Sequence, residues 1–168
     1  MDTHMLIHPI IDKTILVVDD DPTTRLICVK TLRAEGFNVL EAEGSSESLK
    51  ILATHEAPID LLLIDLMLPP PGFQFTSAEN PYPRVHGHEV IQRTLAMKKT
   101  LRVILMSSLS EPERRAYDIV TAHIPFLQKP FSVKTMIQLV HAVLASPPLI
   151  VEESTMKSNA KQNVRWYG

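Results

Sequence analysis

Cysteine is nearly absent from this chain. Among 168 residues only Cys28 carries a thiol, which rules out an internal disulfide framework and fits a reducing compartment. Long hydrophobic runs are also missing. The longest, around residues 61–64, falls far short of the roughly 20 residues needed to span a bilayer. Residues 1–13 show no basic start followed by an apolar stretch, so no secretory signal is expected. Charge of one sign is not in excess. The net charge of −2 gives no reason to expect nucleic acid or a membrane surface as partner. No internal repeat is visible. The hydrophobic share of 45% and charged share of 21% are ordinary for a globular protein. The length suits one domain with extensions rather than two. The expected setting is cytoplasmic.

What is present is an alternation of short apolar runs and helical patterns. Residues 14–18 form a short apolar run ending in acids, the pattern of a buried strand. Pro22 suits a first helical turn. Residues 23–35 carry Ile27, Cys28, Thr31 and Leu32 at helical spacing, and Gly36 ends the helix. Residues 37–41 are a second strand. Ser45 or Ser46 caps a helix running to about His55, with Leu49 and Leu52 inward. Residues 59–64 are a third strand, apolar without alternation, as expected when both faces are covered. Residues 87–99 read as a helix burying Val90, Ile91, Leu95 and Met97. Residues 101–106 are a fourth strand, 111–123 a helix, and 126–128 a fifth strand. Ser132 caps a last helix with Val133, Met136, Ile137, Val140 and Leu144 on one face, and Pro147 with Pro148 stops it. Right-handed crossovers then give an α/β fold: a five-stranded parallel sheet with helices on both faces. Alternation alone leaves the spatial order of the strands open.

Four polar strings stand at the C-terminal ends of these runs: Asp19, Asp20 and Asp21; Asp65; Ser107 and Ser108; and Lys129 followed by Pro130. In a parallel sheet all those ends lie on one edge, where ligands bind. Taken singly each string has a plain explanation. Adjacent acids suit a helix N-terminus, an aspartate suits a turn, serines suit a cap, and a lysine in a loop is normally solvated. Their joint occurrence at four strand ends points to phosphoryl chemistry. Asp19 and Asp20 can hold Mg²⁺ beside Asp65. Lys129 can pair with a phosphoryl oxygen and the Ser107 hydroxyl can donate to another. Asp65 would then attack phosphorus and form an acyl phosphate.

The segments ILVVDDDP, LLLIDLMLP, GHEV, VILMSS and FLQKPFS resemble the signature segments of response-regulator receiver domains of two-component signalling. The resemblance covers roughly residues 13–145. It implies a doubly wound, flavodoxin-like three-layer sandwich with strand order 2-1-3-4-5. It further implies Asp65 as phosphoacceptor, Asp19 and Asp20 as metal acids, the Met67 carbonyl as another metal ligand, and Mg²⁺ as cofactor. Ser107 takes the switch hydroxyl position, Phe126 the switch aromatic position, and Lys129 the position of the family's lysine, with a cis bond to Pro130. Implied partners are a histidine kinase or histidine phosphotransfer protein, with a homodimer as an open option and no enzymatic turnover beyond the chain's own phosphorylation and dephosphorylation. Nucleic acid and membrane are not expected.

The chain departs from the family pattern in several places. Residues 70–85 form a long insertion between Pro69 and Gly87, with functional and functionless readings both open. His86 and His88 flank Gly87, but two histidines without further ligands make a weak metal site. Phe126 lacks a tyrosine hydroxyl. Met67 and Leu109 are apolar and cannot position an attacking water, so a long-lived phosphoryl group is expected. Residues 122–125, Ala-His-Ile-Pro, suggest that the preceding helix ends unusually. The expected organisation is an extension at 1–12, a receiver at 13–146 and a tail at 147–168, too short for an output domain. Output is then expected through protein contacts. Competing readings are a phosphorylation-independent interaction module using the insertion or the tail around Trp166, an aspartyl phosphatase and a flavin binder. The phosphatase would be expected to carry an acid where Met67 stands. The flavin binder would be expected to carry a Ser/Thr/Gly-rich phosphate loop where Asp19 to Asp21 stand.

Overall fold

The computed structural model describes residues 12–68, 87–115 and 123–148. In chain order the elements are β1 (Thr14–Val18), α1 (Pro22–Ala34), β2 (Asn38–Ala42), α2 (Ser45–Thr54), β3 (Leu61–Asp65), α3 (Gly87–Met97), β4 (Arg102–Ser107), α4 (Glu111–Arg115), β5 (Phe126–Gln128) and α5 (Val133–Ala145). The strands form one parallel sheet in the order β2-β1-β3-β4-β5. The chain moves outward from β1 to β2, then crosses back to β3. Such a reversal opens a crevice beyond the carboxyl ends of β1 and β3.

Both sheet faces are covered, so the central strands are apolar throughout. Leu16, Val18, Leu62, Ile64, Val103 and Leu105 pack on one side with Leu49 and Leu52 of α2 and Val90, Ile91 and Leu95 of α3. Ile15, Val17, Leu61, Leu63, Ile104 and Met106 pack on the other with Cys28, Val29 and Leu32 of α1 and Met136, Val140 and Val143 of α5. Each fully buried aliphatic side chain contributes roughly 2 kcal/mol.

Helix ends follow local chemistry. Asp21 caps α1 by accepting from the amides of Thr23 and Thr24, with Pro22 as first helical residue. Gly36 closes it at φ +94°, a conformation that favours glycine. Ser132 caps α5 through the Thr135 amide. At α2 the expected serine cap gives way. Gly44 is the N-cap, Ser45 is buried inside the first turn, and Glu47 reaches back to the Glu43 amide. Gly44 itself makes no side-chain cap bond, and the Glu47 carboxylate instead holds the residue before the cap.

Three apolar residues expected inside face out. Ile27 is 47% exposed, Met97 56% and Val133 45%. The inner face of α1 is centred between Cys28 and Val29, and Ile27 is turned about 100° from Cys28. Met97 lies within about 20° of Val90 in helical phase but is the last residue of α3. Val133 has the right phase but opens α5 at the sheet edge. Val29 and Val143 are buried in the two helices where Ile27 and Val133 stand outside. Strands β2 and β4 run one residue later than expected, and β3 starts two later and ends one later. The insertion at 70–85 with His86, the tail around Trp166, most of the extension at 1–12 and residues 116–122 of the expected fourth helix lie outside the described residues.

Gly87, the first residue of α3, sits against the turn after β3. A Cβ there would stand 2.6 Å from the Asp65 carbonyl oxygen and 2.7 Å from that of Leu66. Both obstacles are backbone, so neither can rotate aside. Gly87→Ala is expected to destabilise the fold by about 1–3 kcal/mol, the usual cost of overpacking. A denaturant midpoint equal to that of the wild type would contradict this packing.

Candidate functional site

Side chains alternate between the two faces of a strand. Asp19 continues the row of Ile15 and Val17, Asp65 that of Leu61 and Leu63, and Lys129 that of Leu127. All three rows belong to the face covered by α1 and α5. Parity therefore delivers two carboxylates and one ammonium to the same side of the sheet edge. The Lys129 Nζ lies 2.7 Å from Asp19 Oδ2 and 2.7 Å from Asp65 Oδ2. Asp19 is fully buried and Asp65 nearly so, while the Lys129 side chain keeps 18% exposure. The remaining oxygens are also engaged. Asp19 Oδ1 accepts from the Asp21 amide at 2.9 Å, and Asp65 Oδ1 from the Met67 amide at 2.8 Å.

Asp20 joins them from the exposed side. One carboxylate oxygen from each of Asp19, Asp20 and Asp65 falls within 4.8 Å of the others. Asp21, the third acid of the string, is spent on the α1 cap. Its carboxyl is held below the usual range by the Thr24 hydroxyl and the Thr24 and Thr23 amides.

Ser107 ends β4 in the row of Val103 and Leu105, which faces α2 and α3. It is fully buried, and its Oγ accepts from the Leu109 amide at 3.1 Å. Its carbonyl accepts the Lys129 amide at 2.8 Å, which ties the end of β4 to the lysine loop. Gln128 strengthens that tie by donating to the Ser108 carbonyl at 3.1 Å. The Lys129–Pro130 bond is cis, as the resemblance implied. Phe126 is half-buried and, like Leu109, packs against the cluster on the α2/α3 side. An open cavity of about 350 Å³ beside the ammonium is lined by Thr24, Ile27, Ser108, Lys129, Pro130 and Phe131.

Electrostatics at Asp19 and Lys129 oppose each other. Burial is the largest influence on Asp19. It raises the carboxyl above the usual range despite hydrogen bonds from Lys129 and the Asp21 amide, and nearby Asp65 adds to the rise. Burial would lower the Lys129 pKa, but hydrogen bonds and charge from Asp19 and Asp65 outweigh it and hold the ammonium above the usual lysine value. Cys28, beneath the site, is pushed up to about 12 by burial and next by Asp19. It is therefore a thiol at neutral pH and no nucleophile.

Two residues of this site escape a reading of strand-end motifs. Gln128 immediately precedes Lys129, where it looks like an ordinary edge residue. Arg25 lies one turn into α1, and its Nη1 donates to the Asp19 carbonyl at 2.7 Å. Helical phase would place Arg25 on the same side as Cys28 and Leu32, which is an unusual place for a cation.

The family description that matches the sequence is the response regulator receiver domain, over residues 15–78. The match takes in Asp19, Asp20 and Asp65 and ends inside the long insertion. Solved structures extend the likeness to the second half of the fold. TrrA, a response regulator protein of Thermotoga maritima solved in complex with Mg²⁺–BeF, is 26% identical with a TM-score of 0.61, covering 78% of this chain and 98% of TrrA. The receiver domain of the hybrid histidine kinase CckA is 27% identical with a TM-score of 0.58, covering 78% and 98%. Among sequences, the phosphate regulon transcriptional regulatory protein PhoB of Klebsiella pneumoniae is 30% identical over 84% of this chain and 56% of PhoB. PhoP of Bacillus subtilis, an alkaline phosphatase synthesis transcriptional regulatory protein, is 26% identical over 88% of this chain and 55% of PhoP. This chain thus spans a little over half the length of these two regulators. No described helix is long and apolar enough to cross a membrane. With the β2-β1-β3-β4-β5 order and an acid cluster at the carboxyl edge of that sheet, residues 15–78 match the response regulator receiver domain and the described fold is that of the solved receivers.

Proposed function

We propose that this receiver takes a phosphoryl group onto Asp65 from the phosphohistidine of a histidine kinase or histidine phosphotransfer protein. The observation that carries the reading is the convergence of Asp19, Asp20, Asp65 and Lys129 at one sheet edge. One Asp65 oxygen forms the new bond to phosphorus. The donor's P–N bond breaks, its electron pair stays on the imidazole nitrogen, and the imidazole leaves with a proton from solvent. The output follows as a change in the surface presented to protein partners.

The acid cluster suits Mg²⁺. The donors are all carboxylate oxygens, which favour a hard cation. Oxygens on opposite sides of an ion with bonds of ~2.1 Å stand ~4.2 Å apart, so three within 4.8 Å need little adjustment. Asp19, Asp20 and Asp65 would hold the ion, with the Met67 carbonyl assigned by family resemblance. When bound, Mg²⁺ neutralises charge on the incoming phosphoryl oxygens. That TrrA was solved with Mg²⁺–BeF supports this choice.

The chain's own groups do the rest. Lys129 pairs with both Asp19 and Asp65 in the resting state and is placed to exchange one carboxylate for a phosphoryl oxygen. The Ser107 hydroxyl accepts from the Leu109 amide, and its own proton is what it can offer a phosphoryl oxygen. Phe126, packed against the α2/α3-side cluster, is assigned to follow that movement.

Incubation with acetyl phosphate and Mg²⁺ is expected to add the mass of one phosphoryl group to the intact protein. Asp65→Asn, or omission of Mg²⁺, is expected to abolish the adduct. An adduct that survives in Asp65→Asn would refute the assignment, and no adduct on folded wild type would favour a phosphorylation-independent module. Because Met67 and Leu109 offer no polar group to orient water, the adduct should outlast hours of dilution. Loss within seconds would remove that argument.

Lys129→Met leaves two buried carboxylates without their cation. In metal-free protein at neutral pH the expected cost is about 3 kcal/mol. The cost should shrink on acidification, as Asp19 with its raised pKa takes up a proton, and Mg²⁺ should recover part of it. The raised lysine pKa has its own window. Its stabilisation is full below the ordinary lysine value of about 10.4 and is lost as pH climbs through the folded value. Wild type should therefore show an alkaline loss of stability that Lys129→Met lacks. Equal alkaline profiles in denaturant titrations would contradict this.

A further inference from the structure

We infer that Arg25 is a positioning residue for the acid cluster, fixing the peptide between Asp19 and Asp20 and so the place of both carboxylates. The inference rests on the reading of that cluster as a Mg²⁺ site. The Asp19 main chain is held from two directions. Its amide donates to the Ala42 carbonyl of β2 at 3.2 Å, and its carbonyl accepts Arg25 Nη1 at 2.7 Å. The carbonyl belongs to the peptide that also carries the Asp20 nitrogen. A guanidinium locked to that oxygen therefore sets the plane from which Asp20 departs.

The guanidinium is itself held in place. Its Nε lies 3.8 Å from Glu41 Oε2 on β2, and the Arg25 side chain keeps only 17% exposure. A planar fork can serve a carbonyl and a carboxylate at once with little remaining freedom. Asp20 gains most from this. Asp19 is enclosed by protein and bonded at both oxygens, whereas Asp20 is the exposed member of the three. Its orientation depends more on its backbone than on packing.

Arg33 provides a matched comparison. It is also on α1, lies 3.7 Å from Glu41, and donates to the Val39 carbonyl at 3.1 Å. It ties the same helix to the same strand without touching the acid segment. A role confined to joining α1 to β2 would make the two arginines equivalent.

The test compares full-length wild type, Arg25→Gln and Arg33→Gln by calorimetric Mg²⁺ titration, well below each melting temperature. Groups that orient metal ligands typically change affinity 10- to 100-fold. Arg25→Gln is expected to weaken Mg²⁺ about tenfold, with Arg33→Gln unchanged. Metal-free ¹⁵N spectra supply an independent readout: the Asp20 and Asp21 amides should shift in Arg25→Gln and stay in place in Arg33→Gln. Should Arg25→Gln fail to fold, Arg25→Lys keeps the charge without the fork and is expected to change in the same direction. Unaltered affinity and unaltered amides in a folded Arg25 variant would overturn the inference. Equal losses in the Arg25 and Arg33 variants would do so too. If wild type itself binds no Mg²⁺, the metal reading fails, and the metal-free amides still decide the role of Arg25.

Discussion

One ammonium shared between two buried carboxylates holds this sheet edge together. Without Lys129, Asp19 and Asp65 would face each other in a region that water scarcely reaches, and like charges there disfavour ionisation. The lysine follows β5 at the sheet edge and the acids follow β1 and β3, so the contact forms only once β5 has joined the sheet. Its energy sets the cost of burial against attraction, the two influences that oppose each other at Asp19 and Lys129. Such a balance is easily tipped by a new charge. For the proposed phosphoryl transfer, that sensitivity matters more than a stronger bond would.

Topology supplies the placement and parity supplies the direction. The reversal of strand order beside β1 opens the crevice, and the two-residue repeat of the strands decides which side chains turn into it. Asp19, Asp65 and Lys129 share one phase and meet. Ser107 has the other phase and lies behind the edge, against the α2/α3 side. The polar groups are thus divided into a set that is already assembled and a hydroxyl that stands apart. Main-chain bonds from Ser107 to Lys129 and from Gln128 to Ser108 keep the two sets in register.

Much of this was legible in the sequence because it is written in periods and strand ends. The apolar runs place all five strands to within two residues, and the residues after them name every member of the assembled cluster. Boundaries slip where a polar residue still pairs in the ladder, as Ser107 does opposite Gln128. Helix faces are less legible. Ile27 and Val29 flank Cys28 and are equally apolar, and only the position of the sheet decides which turns inward. The α2 cap shows another limit, since Ser45, Ser46 and Glu47 all suit a first turn and the buried position of Ser45 settles the matter. Arg25 was the largest omission. An arginine in a helix reads as surface charge until the carbonyl it meets is known.

The close approach of Gly87 to the carbonyls of Asp65 and Leu66 has a consequence for how this chain tolerates length. The turn that leaves β3 and the start of α3 therefore meet, although residues 67–86 separate them in sequence. Closing such an excursion costs entropy that grows only with the logarithm of its length, about 0.6 kcal/mol per doubling. Residues can accumulate there over evolutionary time at almost no thermodynamic penalty, while the sheet that carries the acids keeps its register. The glycine at this junction thereby leaves the border of Asp65 a place where added sequence costs little stability.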